Sequence, residues 1–419
     1  MMHILLIHQA FAAIGEPGGT RHHEFARYMQ ARGHQVSVIA GQVSYLTGAA
    51  VSPRGGGSRS TDELGVEIVR CASYGGWHTS FVHRVFSFMS FMWTSFWAAL
   101  RIEQVDLVWG TTPPIFQALT ASCVASLKRV PFVLEVRDLW PYFAIEVGVL
   151  TNPLLIWLSE GLERFLYRRA DVVIVNSPGF VEHVRGRGAD KVFIIPNGVD
   201  PQMISADASR AGLREELGLG EDAFVIIYAG AHGMSNDLEV VLQAAAHLQD
   251  DGNEAFVLIG DGKEKSELQA KAEEMDLKGV FFHQPVPKDE IAGYLVEGDA
   301  GLAVLKDLPA YRLTYPNKVF DYMAAGLPVL CMIDGVIREV VETSGAGLFV
   351  PPGDPVALAD AVEKWHARRQ ELASMGVRGR EFVSEHFNRE TLAEQMLTIM
   401  QATVDDAKAY ENSGGWQKP

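Results

Sequence analysis

The stretch Tyr315 to Pro328, YPNKVFDYMAAGLP, sets one carboxylate, Asp321, on a small-residue helical pattern that leads into the apolar run PVLCMI. In an open α/β sheet, loops and helices at the carboxyl ends of strands face the ligand crevice. Asp321 is therefore a candidate to accept hydrogen bonds from a ligand's hydroxyls, with helix capping or a salt bridge as the competing reading. Asn317 and Lys318 precede it on the same helical pattern. Two glycine-bearing loops suit an anion. Gly18 and Gly19 follow the first apolar run and precede a helix beginning near Thr20, so backbone N–H groups lie beside a helix N-terminus, with Arg21 adding charge. Gly230 and Gly233, in YAGAHGMSNDLE, offer a second such turn, with His232 between them. Lys263 and Lys265 follow the run FVLIGDG and are candidates to neutralise the charge of an anion. In EVRDLWP, Arg137 and Asp138 end another apolar run. An adjacent arginine lowers a carboxyl pKa, so Asp138 is expected to be ionised and to orient a hydroxyl or a positive centre. An ion pair closing the strand end is the alternative.

Several chemistries are disfavoured. The dinucleotide spacing G-x-G-x-x-G is absent, as is the G-x-S-x-G elbow of a covalent hydrolase. No Asp-x-Asp occurs and no His or Cys cluster has ligand spacing, so no metal or other cofactor is expected. A formal charge of −16 argues against nucleic acid as a partner. Cys71, Cys123 and Cys331 each lie in or beside an apolar run and read as small buried hydrophobes. The start, MMHILLIHQAF, lacks a basic leader and reads as a buried strand, which points to a cytoplasmic protein.

The elements that must hold these residues form two alternations of strand and helix. HILLIH, HQVSVIAG, VEIVRC, VDLVWG, PFVLEV, DVVIVN and VFIIP make the first; AFVIIYAG, AFVLIGDG, VFFHQ, AGLAVL, PVLCM and GLFV make the second. Runs without polar alternation imply parallel strands covered on both faces. The chain length and the turn-rich joint near 196–203 imply two Rossmann-like domains facing a cleft, 1–196 and 197–389, with a final helix over 390–410 packing back on the first. Residues 50–64 read as a Gly/Ser-rich loop, and the tail from Asn412 as disordered. Phe81 to Leu100 is aromatic around most of a helix, with His83, Ser87, Ser90 and Thr94 marking one weakly polar stripe. It is too short to span a bilayer comfortably. Either it is a core or packing helix, or it presents Trp93 and Trp97 to a membrane surface.

The glycine loop at 15–24, EVRDLWP, IIPNGVD, LIGDGKEK and YPNKVFDYMAAGLP, in that order, resemble the retaining, nucleotide-sugar-dependent glycosyltransferases of the GT-B fold, family 4. The resemblance extends from about residue 3 to about residue 390. It implies transfer of a sugar from a nucleotide diphosphate sugar, UDP being the family's commonest nucleotide, to a hydroxyl of a glycan or lipid-linked acceptor in polysaccharide biosynthesis. The acceptor would attack on the face the diphosphate leaves, without a metal or a protein nucleophile. By resemblance Asp321 takes the ribose hydroxyls, the backbone at Val286 holds the base, and Gly18, Gly19, Arg21, Gly230, His232, Gly233, Lys263, Asn317 and Lys318 surround the donor. Arg137, Asp138 and Lys265 are the expected catalytic residues. The sequence departs from the family pattern at Ala231 and Asn236, where an Arg and a Lys are common, and at Leu313, where a glutamate is common. Peripheral contact with the cytoplasmic membrane face through 81–100 would suit a lipid-linked acceptor. A nucleotide-sugar 2-epimerase of the same fold and a non-catalytic nucleotide-sugar binding protein are the alternatives.

Overall fold

The structure is a computed structural model and describes residues 1–13, 19–43, 58–75, 81–248 and 253–412. Gly18, most of the loop at 50–64 and the tail beyond 412 lie outside the described residues. The chain divides into two units, Met1–Pro196 with Arg389–Pro419, and Asn197–Asn388.

Unit 1 comprises β1 (His3–His8), α1 (Arg21–Ala31), β2 (Gln35–Gly41), β3 (Ser58–Thr61), β4 (Glu67–Cys71), α2 (Phe81–Leu100), β5 (Leu107–Thr112), α3 (Ile115–Lys128), β6 (Phe132–Val136), α4 (Tyr142–Glu146), α5 (Pro153–Arg169), β7 (Val172–Val175), α6 (Val181–Gly186) and β8 (Val192–Ile194). Its sheet runs β3-β4-β2-β1-β5-β6-β7-β8, parallel except for β3. The strand β3 corrects the loop expected over 50–64 at residues 58–61. Its sequence, SRST, has no apolar face, and it pairs with β4 as an exposed edge strand. Chain order reverses between β1 and β5, the switch point where open α/β sheets bind ligands.

Unit 2 comprises α7 (Leu213–Glu216), β9 (Phe224–Ala229), α8 (Leu238–His247), β10 (Glu254–Ile259), α9 (Lys265–Glu274), β11 (Val280–His283), α10 (Ile291–Leu295), β12 (Ala300–Val304), α11 (Asn317–Ala324), β13 (Val329–Met332), α12 (Val336–Ser344), β14 (Gly347–Phe349), α13 (Pro355–Ala367) and α14 (Arg369–His386). The sheet runs β11-β10-β9-β12-β13-β14, all parallel, with its switch point between β9 and β12. Both faces are buried. Val225, Ile227, Val257 and Ile259 join one core cluster, while the alternate residues Phe224, Ile226, Phe256 and Leu258 join another. That two-sided burial is why these strands lack polar alternation.

Helix α15 (Arg389–Asn412) returns to unit 1, where Leu392, Met396 and Met400 pack with Phe25 and Met29 of α1 over the same face of the sheet. On the opposite face, α3 closes on β5 so tightly that a Cβ at Gly110 would lie 2.5 Å from Cβ of Ala121. Helix α1 also grips both points where the chain crosses between units. Arg21 donates to the carbonyls of Ile195 and Pro196 at 2.8 and 3.2 Å, and Glu24 accepts from Arg389 at 2.7 Å.

Helices α2 and α5 are turned opposite to the usual pattern. On α2, Ser87 and Ser95 are buried and Thr94 donates to the carbonyl of Ala72, while Phe86, Met89, Trp93 and Trp97 are exposed. The polar stripe seen in the sequence thus faces the protein. On α5, Glu163 is buried against His183, Arg187 and Tyr167, while Leu154, Trp157, Leu158 and Phe165 face out. Cys71 and Cys331 are buried, but Cys123 is exposed on α3, one turn from exposed Leu127, which corrects its reading as a core residue. Among the described residues no helix is long and apolar enough to cross a membrane.

Candidate functional site

In unit 2 the predicted residues gather at the carboxyl ends of β9, β10 and β11. The loop after β9 is laced to the loop after β10: Gly230 N–H donates to Ile259 O at 2.9 Å, His232 N–H to Asp261 O at 2.9 Å, and Glu264 N–H back to His232 O at 3.0 Å. Glycine is required at both crossings, because a Cβ at Gly260 would lie 1.9 Å from Gly230 O and one at Gly262 would lie 2.3 Å from His232 O.

Lys265 is buried and donates to Gly260 O at 2.8 Å and His283 O at 2.9 Å, tying the end of β11 to these loops. This corrects the catalytic role expected for it. With two of its three donors committed to carbonyls, Lys265 braces the loops. Lys263, two residues earlier, is exposed. Gly233 lies in the same loop as Gly230, ahead of α8.

Among the described residues of this site, Lys318 is a buried cation left without a partner. Its Nζ is buried with no hydrogen-bond partner and lies 3.7 Å from the centroid of the Tyr228 ring. A Cβ at Gly230 would sit 3.0 Å from that nitrogen, so the glycine leaves the ammonium room against the loop. Loss of hydration lowers the Lys318 pKa to about 7. His232 is also buried, with neither ring nitrogen paired, and burial followed by the charge of Lys265 lowers it to about 4. A neutral imidazole and a poorly solvated lysine without a counter-ion make a site that favours an anion.

Asp321 lies on α11, one turn beyond Lys318. Its Oδ2 accepts from Lys288 Nζ at 2.5 Å, while Oδ1 is buried without a partner. The carboxylate thus makes the ion pair of one sequence reading through Oδ2 and leaves Oδ1 unpaired. Lys288 was missed in the sequence, although it stands two residues after Val286, which is half-buried on the loop after β11. Asn317 is exposed at the first position of α11. Ser235 and Tyr311 were missed too; their hydroxyls bond to each other and Lys306 N–H donates to Ser235 O at 3.0 Å, which pins the β9 loop from the β12 side.

In unit 1, Arg21 is corrected from anion ligand to structural brace. Its guanidinium pairs with Glu135, which is fully buried and also accepts from His22 Nε2 at 2.9 Å and Trp109 Nε1 at 3.0 Å. Burial alone would raise the Glu135 pKa, but Arg21, His22 and Arg137 together hold it well below the usual range. Gly19 is exposed just ahead of α1.

Arg137 donates to Pro113 O at 2.8 Å, and no ion pair joins it to Asp138 among the described residues. The surface of Asp138 is open, yet protein atoms crowd its carboxyl, and the lost hydration raises it to about 6 against the pull of Arg137. The expectation of a lowered pKa is thereby reversed, because desolvation outweighs the neighbouring charge. Along the same edge of the sheet, the carboxyl ends of β1, β2, β4, β5 and β7 carry buried oxygens without partners: Gln9 Oε1, Gln42 Oε1, Ser73 Oγ, Thr112 Oγ1 and Asn176 Oδ1. The amide oxygens accept and cannot donate, so they suit a group rich in hydroxyls.

A family description, "Glycosyl transferase 4-like domain", matches residues 18–198, and a second, "Glycosyl transferases group 1", matches residues 223–368. The chain belongs to the family 4-like glycosyltransferases. Its relatives include WcaI of Escherichia coli (strain K12), named as a glycosyl transferase of colanic acid biosynthesis, at 26% identity over 81% of this chain and 86% of WcaI. WbjE of Pseudomonas aeruginosa, named as a glycosyltransferase, is 23% identical over 74% of this chain and 77% of that protein. Among solved structures, sucrose-phosphate synthase from Thermosynechococcus elongatus superposes with a TM-score of 0.77 at 18% identity, covering 96% of this chain and 99% of that one. HepE of Anabaena, crystallised with UDP-glucose, gives a TM-score of 0.70 at 17% identity over 96% and 100%. These structures share the GT-B fold with this glycosyltransferase, whose two parallel sheets and switch points follow that architecture.

Proposed function

We propose that this glycosyltransferase moves a sugar from a UDP-sugar to a hydroxyl of a glycan or lipid-linked acceptor in surface polysaccharide synthesis, with retention at the anomeric carbon. The observation that carries the reading is the buried, unpaired Lys318 ammonium beside the Gly230 loop, at the switch point of a sheet whose neighbouring helix offers the open Oδ1 of Asp321. A diphosphate supplies the counter-charge Lys318 lacks, and a ribose supplies the hydroxyls Asp321 can accept. WcaI is named for colanic acid biosynthesis and HepE was crystallised with UDP-glucose, which agrees with a UDP-sugar and a glycan product.

On this reading, Lys318 takes the place of the cations missing at Ala231 and Asn236, and it stabilises the departing diphosphate without a metal. His232 is neutral at physiological pH and can donate its one ring N–H to a phosphate oxygen. Asp138 and the open amide oxygens of Gln9, Gln42 and Asn176 orient the acceptor's hydroxyls. The leaving phosphate takes the proton from the attacking hydroxyl, so no protein nucleophile is needed.

The test is incubation with UDP-sugars, with and without glycan acceptors, in the presence of a chelator. A new glycoside that keeps the donor's anomeric configuration supports the proposal. An epimerised sugar formed from donor alone, or UDP binding with no turnover on any acceptor, contradicts it in favour of the two alternatives.

A further inference from the structure

We infer that unit 1 docks on an anionic lipid bilayer through a composite face made by α2, α3 and α5. Helix α3 packs between the other two on one face of the sheet. All three turn apolar residues outward: Phe86, Met89, Trp93 and Trp97 on α2, Leu127 on α3, and Leu154, Trp157, Leu158 and Phe165 on α5. The exposed residues of α2 recur at intervals of three and four, and Leu154, Leu158 and Phe165 are four and seven apart with Trp157 beside them, so each set is a single stripe along its helix. Both helices meanwhile bury polar groups, Ser87 and Ser95 on one and Glu163 on the other. A helix that inverts its amphipathicity on a water-facing surface is unfavourable, and two neighbours doing so call for an apolar cover.

Charge selects the cover. The chain as a whole carries −16, yet α2 and α3 contain no Asp or Glu, and both acids of α5 are ion-paired, Glu160 with Arg164 and Arg187, and Glu163 with Arg187 and His183. Arg101, Arg129 and Arg168 are exposed at the C-terminal ends of α2, α3 and α5. Two copies meeting through this face about a two-fold axis would set arginine against arginine. An anionic membrane gains from both the indole rings, which suit the headgroup level, and the guanidinium groups. The face extends well beyond residues 81–100, and it deepens the proposed use of a lipid-linked acceptor by holding the protein where such an acceptor lies.

Cys123 supplies the probe, since it is exposed on α3 between the two stripes while Cys71 and Cys331 are buried. Full-length protein labelled at Cys123 with an environment-sensitive fluorophore is mixed with vesicles of phosphatidylcholine alone or of phosphatidylcholine with phosphatidylglycerol. The expected result is a blue shift and co-sedimentation that require phosphatidylglycerol and weaken with salt. Trp157→Ser with Leu158→Ser, on the helix outside 81–100, should lower vesicle partitioning by at least about tenfold, and so should Trp93→Ser with Trp97→Ser. Both pairs should leave UDP affinity, measured by calorimetry, unchanged, which shows that unit 2 stays folded and separates this inference from the donor-site reading. No phosphatidylglycerol-dependent binding, binding that ignores the α5 pair, or a dimer that shields Cys123 without lipid would each overturn it.

Discussion

Lys318 Nζ rests 3.7 Å from the ring centroid of Tyr228, buried and without a hydrogen-bond partner, on the helix that also carries Asp321. The ring face is a weak substitute for water. The protein keeps a destabilised ammonium where an anion would relieve it.

Lys318→Met should therefore stabilise the ligand-free protein while weakening UDP binding. Removing an unsatisfied buried donor is worth about 1–3 kcal/mol, an increase of about 2–4 °C in melting temperature per kcal/mol for a domain of this size. The same change should lower UDP affinity by about tenfold or more. Calorimetric melting and UDP titration of one variant check both signs.

Lys265→Met should do the opposite to stability. Gly260 O and His283 O each lose a charged donor, so the melting temperature falls. Opposite shifts from two lysines of one site would distinguish the brace from the anion ligand, and equal shifts would count against the assignment.

Arg21→Ala should destabilise unit 1 by about 3–5 kcal/mol, because Glu135 is left charged, buried and short of its main partner. Denaturant unfolding of unit 1 measures this, and UDP affinity should not change. The Glu135 pKa lies well below its unfolded value, so its contribution is present above about pH 4.3, the unfolded value, and is lost as pH falls toward the folded pKa. The acid limb of stability should flatten in Glu135→Gln.

Asp138 titrates to about 6 in the folded protein, above its unfolded value. Sugar transfer should rise as pH passes upward through about 6 if the ionised form orients the acceptor, and that limb should vanish in Asp138→Asn. Folding should show the reverse trend. The folded state binds the proton more tightly than the unfolded one, so ionisation at Asp138 diminishes stability as pH rises through the same interval.

Strands were legible from the sequence because their two-sided burial strips them of polar residues, as in FVIIYA of β9. The edge strand β3 was not, since SRST has no apolar face. The glycine loops of unit 2 were legible because close approach forbids a side chain, as at Gly262. Partnership was not. Sequence spacing cannot show that Arg21 meets Glu135, 114 positions away, or that Lys288 meets Asp321, 33 positions away. Local charge also misled at Asp138, where adjacent Arg137 suggested a lowered pKa and desolvation set a raised one. The α2 stripe was visible as a periodicity, but which side faced water depended on Ala72 and Tyr74 accepting and donating to Thr94 and Ser90.

A donor site in unit 2 built on Lys318 and Asp321 stands or falls with UDP titration of the wild type, Lys318→Met and Asp321→Ala, run in two buffers of different ionisation enthalpy. With Lys318 near 7, a bound diphosphate should raise its pKa, so above neutrality binding takes up a proton and weakens by up to about tenfold per pH unit. The wild type should bind UDP with proton uptake, the uptake should be lost in Lys318→Met, and affinity should fall in Asp321→Ala. No UDP binding by the wild type, or affinity unchanged in both variants, would contradict it.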